Sequence, residues 1–273
     1  MICVIGARGR LGAALSAAIP DDRIVAPNRE VYADWGAPDG VAQVYQFLQR
    51  SKGVKHIYVA SGILDPRVAD EHHLHVNYCL PKNIILAAER YGCRVTTIGT
   101  VMERFEGADN AYVRSKRLIG DFVQDRARQG GAVAHVQVHT LFGVGTPSPF
   151  MFLGQMRAAI VRNEKFSMSA GTQLREYHHV LDDVTALLHL GRMNVTGTIA
   201  LSHGDPVRLV DLAKYVFNSL GKEELLSVGE LSSAPGENFE KFFQRPNPLL
   251  EMEFRETLPA VAGYMMESLR NVL

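Results

Sequence analysis

Ile2-Cys3-Val4-Ile5-Gly6-Ala7-Arg8-Gly9-Arg10-Leu11-Gly12 stands almost at the start of the chain, and its reading decides the fold. Four apolar residues in a row are what a parallel strand needs when both of its faces are covered. Three glycines follow at spacings of three, and Leu11 to Ile19 then carries a helix-like pattern. Glycine lets the backbone turn sharply off a strand and brings the first amides of the next helix against a pyrophosphate. The same residues also suit a tight turn that holds no ligand, so the surroundings of the motif have to decide.

Outward from this stretch, strand and helix patterns alternate. Arg23 to Ala26, His56 to Ala60, Arg94 to Ile98 and Val133 to Val138 read as buried strands. Between them, Val41, Val44, Phe47 and Leu48 recur at helical spacing, as do Val76, Leu80, Ile84 and Ala88 in a segment from about 69 to 91 that ends at Gly92. This order predicts an α/β fold, a doubly wound parallel sheet of Rossmann type whose ligand crevice lies at the carboxyl ends of the strands. Residues 1–145 are expected to form the dinucleotide-binding core with the catalytic residues. Residues 146–273 are expected to be mostly a small substrate-binding lobe, with some segments returning to the core. Further helices are expected at 150–162, 207–220 and 256–270, with a strand at 198–201.

The candidate cofactor residues fall at those strand ends. They are Gly6, Arg8, Gly9, Arg10, Leu11 and Gly12 in the first turn, Asn28 and Arg29 after the second strand, and Ala60, Ser61 and Gly62 after the third. Asn77, on the 69–91 helix, joins them, and Asp34-Trp35 is placed beside the adenine. A site that prefers NAD carries Asp or Glu after the second strand; here Arg29 stands there, and a guanidinium suits a ribose 2′-phosphate. Arg8 is a second candidate contact. NADP is therefore expected, with NAD as the alternative; two solvated surface arginines would be the plain reading.

The chemistry is sought in Ala111-Tyr112-Val113-Arg114-Ser115-Lys116 and in Ile98-Gly99-Thr100. If 111–129 is helical, Tyr112 and Lys116 lie one turn apart on one face, and an ammonium beside a phenol of ordinary pKa about 10 would lower it. Thr100, closing the fourth strand, would supply a hydroxyl to polarise a carbonyl. A second Tyr-x-x-x-Lys, Tyr78 to Lys82, contains Pro81 and follows no strand ending in a hydroxyl residue, so it is read as a decoy.

The composition bounds the partners. Lys plus Arg and Asp plus Glu are equal at 29 each, so no global field draws nucleic acid or an anionic membrane. Cys3, Cys79 and Cys93 lack metal-ligand spacing, and neither a signal segment nor a bilayer-length apolar run is present, which together suggest a cytoplasmic protein. His72, His73 and His75, and the pair His178-His179, invite a metal, but no second cluster in the sequence supplies the remaining ligands, and none is expected.

Gly6-x-x-Gly9-x-x-Gly12, Thr100 and Tyr112-x-x-x-Lys116, in this order and context, resemble the short-chain dehydrogenase/reductase superfamily. The stretch Gln173-Leu174-Arg175-Glu176-Tyr177-His178-His179-Val180 through Asp183-Val184 is similar to one in the extended branch, which acts largely on nucleotide sugars. The resemblance implies that Tyr112 is the general acid/base, that Lys116 lowers its pKa and holds the nicotinamide ribose, and that Thr100 binds the substrate oxygen. It implies that Arg175 grips the nucleotide diphosphate and that Arg245 is a second such arginine; an ion pair of Arg175 with Glu176 or Asp183 is the alternative. Thr100-Val101-Met102-Glu103 lacks the Thr-Asp-Glu used for 4,6-dehydration, which argues against a dehydratase, and His139 stands where an arginine is common.

The leading expectation is thus an NADP-dependent reductase of a nucleotide-linked 4-keto-6-deoxysugar. The alternatives are a 4-epimerase that retains its cofactor and a non-catalytic NADP-sensing binding protein. A homodimer is the assembly to test for.

Overall fold

The computed structural model describes residues 1–65, 67–233 and 237–270. By its internal packing the chain divides into two units, Met1–Val138 with Val184–Leu201, and His139–Asp183 with Ser202–Leu273. The division falls after Val138 rather than after residue 145, because strand pairing in the second unit already starts at Thr140.

The first unit is built on a six-stranded sheet of β1 (Ile2–Ile5), β2 (Ile24–Val25), β3 (His56–Val59), β4 (Arg94–Thr100), β5 (Val133–Val138) and β6 (Gly197–Ala200). Every neighbouring pair is parallel, in the order β6-β5-β4-β3-β1-β2. β3 and β5 are buried along their whole length, as strands covered on both faces must be. One core cluster, including Ile5, Val44, Leu48, Ile57, Ile84, Ile119 and Val133, joins the sheet to its helices. The chain runs from β1 outward to β2, then crosses back to β3 on the other side. That reversal leaves a crevice at the carboxyl ends of β1 and β3, where doubly wound sheets bind ligands.

The helix expected over 69–91 is interrupted. It runs as Asp70–Leu74, a π-helical turn at His75–Cys79, and Leu80–Tyr91, closed by Gly92 in the left-handed conformation (φ 85°). Pro81 explains the wider turn, since a proline has no N–H for the carbonyl four residues back. The decoy pair also resolves here: Lys82 Nζ lies over the Tyr78 ring, 5.4 Å from its centre, as a cation–π contact and not as a partner of the hydroxyl.

The second unit has its own core, with Phe142, Met156, Ile160, Phe166, Leu212, Phe217, Val261 and Met265 among its members. Helices Phe152–Arg162, Leu209–Ser219 and Thr257–Leu269 supply most of it. Three short strand pairs complete the unit, including Thr140–Phe142 parallel to Tyr177–His179 and Leu174–Arg175 antiparallel to Val207–Arg208.

Candidate active site

The glycine turn is shaped by three different demands. Gly6 has φ 89°, and a Cβ on it would fall 2.4 Å from Ser61 N, so the turn presses against the end of β3. A Cβ on Gly12 would fall 2.1 Å from Gly6 O, whereas one on Gly9 would meet nothing nearer than 3.4 Å. Gly6 and Gly12 are thus required by the fold, while Gly9, the N-cap of the helix Arg10–Ala17, leaves the helix start open. This bare cradle fits a pyrophosphate. Arg8 and Arg29 are both exposed.

On the other side of the crevice, the π-helical turn buries Asn77. Its carboxamide accepts from Ile63 N at 2.9 Å and donates to Ile63 O at 3.0 Å and Ser115 Oγ at 3.1 Å, fixing the loop after β3 to the helix that carries Tyr112 and Lys116. A Cβ on Gly62 would lie 3.3 Å from Asn77 Oδ1 and 3.4 Å from Lys116 Nζ.

Asn110 caps the helix Ala111–Arg128 by accepting from Val113 N at 2.9 Å. Val113, Lys116, Ile119, Gly120 and Val123 form its buried face, so Tyr112 and Lys116 are one turn apart as expected. Lys116 Nζ donates to Ile98 O at 2.7 Å, which ties the helix to β4. Burial lowers the Lys116 pKa to about 8, against the upward pull of the Glu103 carboxylate. The phenol differs from one expectation: Tyr112 is partly buried, and desolvation first and the Glu103 carboxylate second push its pKa up, where a lowering by Lys116 was expected.

Glu103 is the residue that the sequence reading missed. Its side chain is 4% exposed, accepts from Thr100 N at 2.6 Å and from Gln137 Nε2 at 2.8 Å, and pairs with His135 Nε2 at 3.0 Å. Thr100 and Glu103 form a capping box, and that Thr-x-x-Glu spacing was legible in the sequence. The carboxylate fixes the backbone that presents Thr100.

Three other expected site residues are placed differently from the sequence reading. Trp35 is 3% exposed, with its ring against Tyr32 and Phe47 in the core, so it is a packing residue and not a platform for adenine; Asp34 is exposed. Arg245 donates to His203 O at 3.1 Å and Met252 O at 3.0 Å and lies over Phe254, which makes it a clasp within the second unit. Arg175 pairs with Glu237 rather than with Glu176 or Asp183, because those two acids bind histidines instead.

Residues 2–200 match the model of the NAD dependent epimerase/dehydratase family. The chain belongs to that family. It is the extended branch of the short-chain dehydrogenases/reductases, and solved structures share the fold along the whole chain. MoeE5 in complex with UDP-glucuronic acid and NAD superposes with a TM-score of 0.79 at 20% identity, covering 100% of this chain and 99% of that one. UDP-N-acetylglucosamine 4-epimerase from Methanobrevibacter ruminantium M1, in complex with UDP-N-acetylmuramic acid, gives 0.80 at 14% identity over 98% and 96%. dTDP-4-dehydrorhamnose reductase from Bacillus anthracis str. Ames, in complex with NADP, gives 0.78 at 17% identity over 97% and 98%. No curated protein matches the sequence significantly. No helix among the described residues is long and apolar enough to cross a membrane.

Proposed function

We propose that this family member is an NADP-dependent reductase of a nucleotide-linked 4-keto-6-deoxysugar. The observation that carries the reading is the placement of Tyr112 and Lys116 one turn apart on one helix, with Lys116 tied to β4, the strand that ends at Thr100. A protonated phenol beside the Lys116 ammonium and near the strand end that carries Thr100 is set to give a proton, which ketone reduction requires.

A dinucleotide, when bound, would supply the hydride. Gly6, Gly9 and Gly12 would receive its pyrophosphate, Asn77 and Lys116 border the end of β3 where its ribose would lie, and Thr100 would orient the substrate oxygen for Tyr112. Arg175 is the residue proposed for the substrate diphosphate. The resemblance in fold to a 4-keto sugar reductase solved with NADP supports the assignment without establishing the substrate.

Incubation of the purified protein with NADPH and a panel of nucleotide-linked 4-keto-6-deoxysugars tests the reading through absorbance at the nicotinamide band. Stoichiometric consumption is expected; sugar conversion without consumption would instead identify an epimerase.

Two substitutions examine the parts. Arg29→Asp replaces a partner of the 2′-phosphate with a group that repels it, so the ratio of kcat/KM for NADPH over NADH should fall roughly ten- to a hundredfold, the scale of a charged hydrogen bond. An unchanged ratio would leave NADP selection without its proposed cause. Arg175→Ala should lower kcat/KM for a nucleotide sugar by roughly one to two powers of ten and leave NADPH affinity unchanged, because binding energy from a remote phosphate reaches the transition state. A ketone without phosphate reports whether losing the Glu237 partner matters by itself: equal losses on both substrates would assign Arg175 to the fold.

A further inference from the structure

We propose that His139, Glu176 and His178 form a zinc site in the second unit, independent of the dinucleotide chemistry. The strand register creates it. Thr140 pairs with Tyr177 and Leu141 with His178 in a parallel ladder, and Thr140 N donates to Glu176 O, so His139 arrives beside Glu176. Glu176 and His178, two residues apart in extended chain, share one face. Three groups well separated or opposed in sequence thereby meet in one place.

The donor set and its geometry suit zinc. The side chains of His139, Glu176 and His178 are 5%, 1% and 0% exposed. His139 Nε2 lies 3.6 Å from Glu176 Oε1, His178 Nε2 lies 3.0 Å from Glu176 Oε2, and one donor atom from each residue falls within 4.8 Å of the others. Donors about 2.0–2.1 Å from a tetrahedral ion are about 3.3–3.5 Å apart, so small adjustments suffice. Two imidazole nitrogens and one carboxylate favour zinc over magnesium or calcium, which take oxygen ligands.

The surroundings complete the design. His178 Nδ1 is 2.7 Å from the fully buried carboxylate of Asp183, the arrangement that fixes a metal-binding imidazole and aims its other nitrogen. Ser202 Oγ at 2.7 Å and His203 N at 3.0 Å donate to Glu176 and hold its orientation. The ion would tie the Thr140–Phe142 and Tyr177–His179 strands together, with one coordination position left for water.

The test uses full-length protein without a histidine tag, stripped with chelator and then exposed to zinc or cobalt. Close to one zinc per chain by elemental analysis is expected, with a rise in Tm of several degrees. The cobalt form should show the intense visible bands of a tetrahedral site, lost on adding zinc. His139→Asn should abolish both signals, and Asp183→Asn should weaken affinity about 10- to 100-fold. His72→Ala, on an exposed helix outside the cluster, should change neither and serves as a control for adventitious binding. Folded wild-type protein that retains less than about a tenth of an ion per chain would overturn the proposal. So would His139→Asn protein that binds zinc as the wild type does.

Discussion

Tyr112→Phe will lower kcat for ketone reduction by about 10³ to 10⁴, the upper range of what a positioned proton donor contributes. The hydroxyl is the only group removed. The ring keeps its place on the helix Ala111–Arg128, so neither a cavity nor a change of helix is introduced. NADPH affinity, followed by nucleotide fluorescence, should stay within about twofold of wild type, because the hydroxyl serves the substrate and the ring can still pack. Tyr78→Phe provides the internal comparison, since Lys82 sits on that ring's face and the hydroxyl has no assigned task. Full activity in Tyr112→Phe would remove the central assignment.

Gly6→Ala and Gly9→Ala should separate folding from binding. At Gly6 a methyl group meets Ser61 N at 2.4 Å and Ser61 Cα at 2.7 Å, both backbone atoms, in a left-handed conformation at φ 89°. Overpacking against a strand end together with that strain should cost about 2–4 kcal/mol, lowering Tm by about 5–10 °C and abolishing dinucleotide binding. At Gly9 the nearest atom is Gly6 O at 3.4 Å and φ is −77°, so Tm should stay within about 2 °C. Affinity for NADPH should nevertheless fall at least roughly tenfold, because the methyl group occupies the space proposed for the pyrophosphate. Wild-type affinity in Gly9→Ala, measured by titration calorimetry, would remove the dinucleotide from this turn.

The fold was legible because its information is local. Apolar runs, a glycine turn and helical spacing announce strands and helices one after another, and parallel order follows from their alternation. The placement of Tyr112, Lys116 and Thr100 was readable for the same reason, since one lies a helical turn from the next and the third ends a strand. What escaped depends on register and packing. Glu103 gave a capping signal, but its pairing with His135 and Gln137 needs β4 and β5 set side by side. Asn77 was named as a cofactor residue without its cause, the π-helical turn before Pro81. Trp35 misled because a lone tryptophan near a strand end reads equally as a surface platform or as core. Similarly, His178-His179 looked like half a metal site with no other half, since its neighbours are fixed by a short parallel ladder joining distant segments.

The bare backbone at Gly99 and Gly120 bears on how this protein can change by mutation. A Cβ on Gly99 would stand 2.1 Å from His135 Nε2 and 2.5 Å from Glu103 Oε1, and one on Gly120 would stand 3.0 Å from Glu103 Oε2. Two glycines on different elements are therefore tied to one carboxylate–imidazole pair. Enlarging Gly99 while the pair remains forces overlap and enlarging Gly120 crowds the carboxylate, whereas shrinking both members of the pair first opens the room that the glycines now provide. Substitutions among the four positions are strongly non-additive, as groups in direct contact are. The route through them is consequently ordered: a lineage can fill Gly99 after it has lost Glu103 and His135, but it cannot take the same steps in reverse.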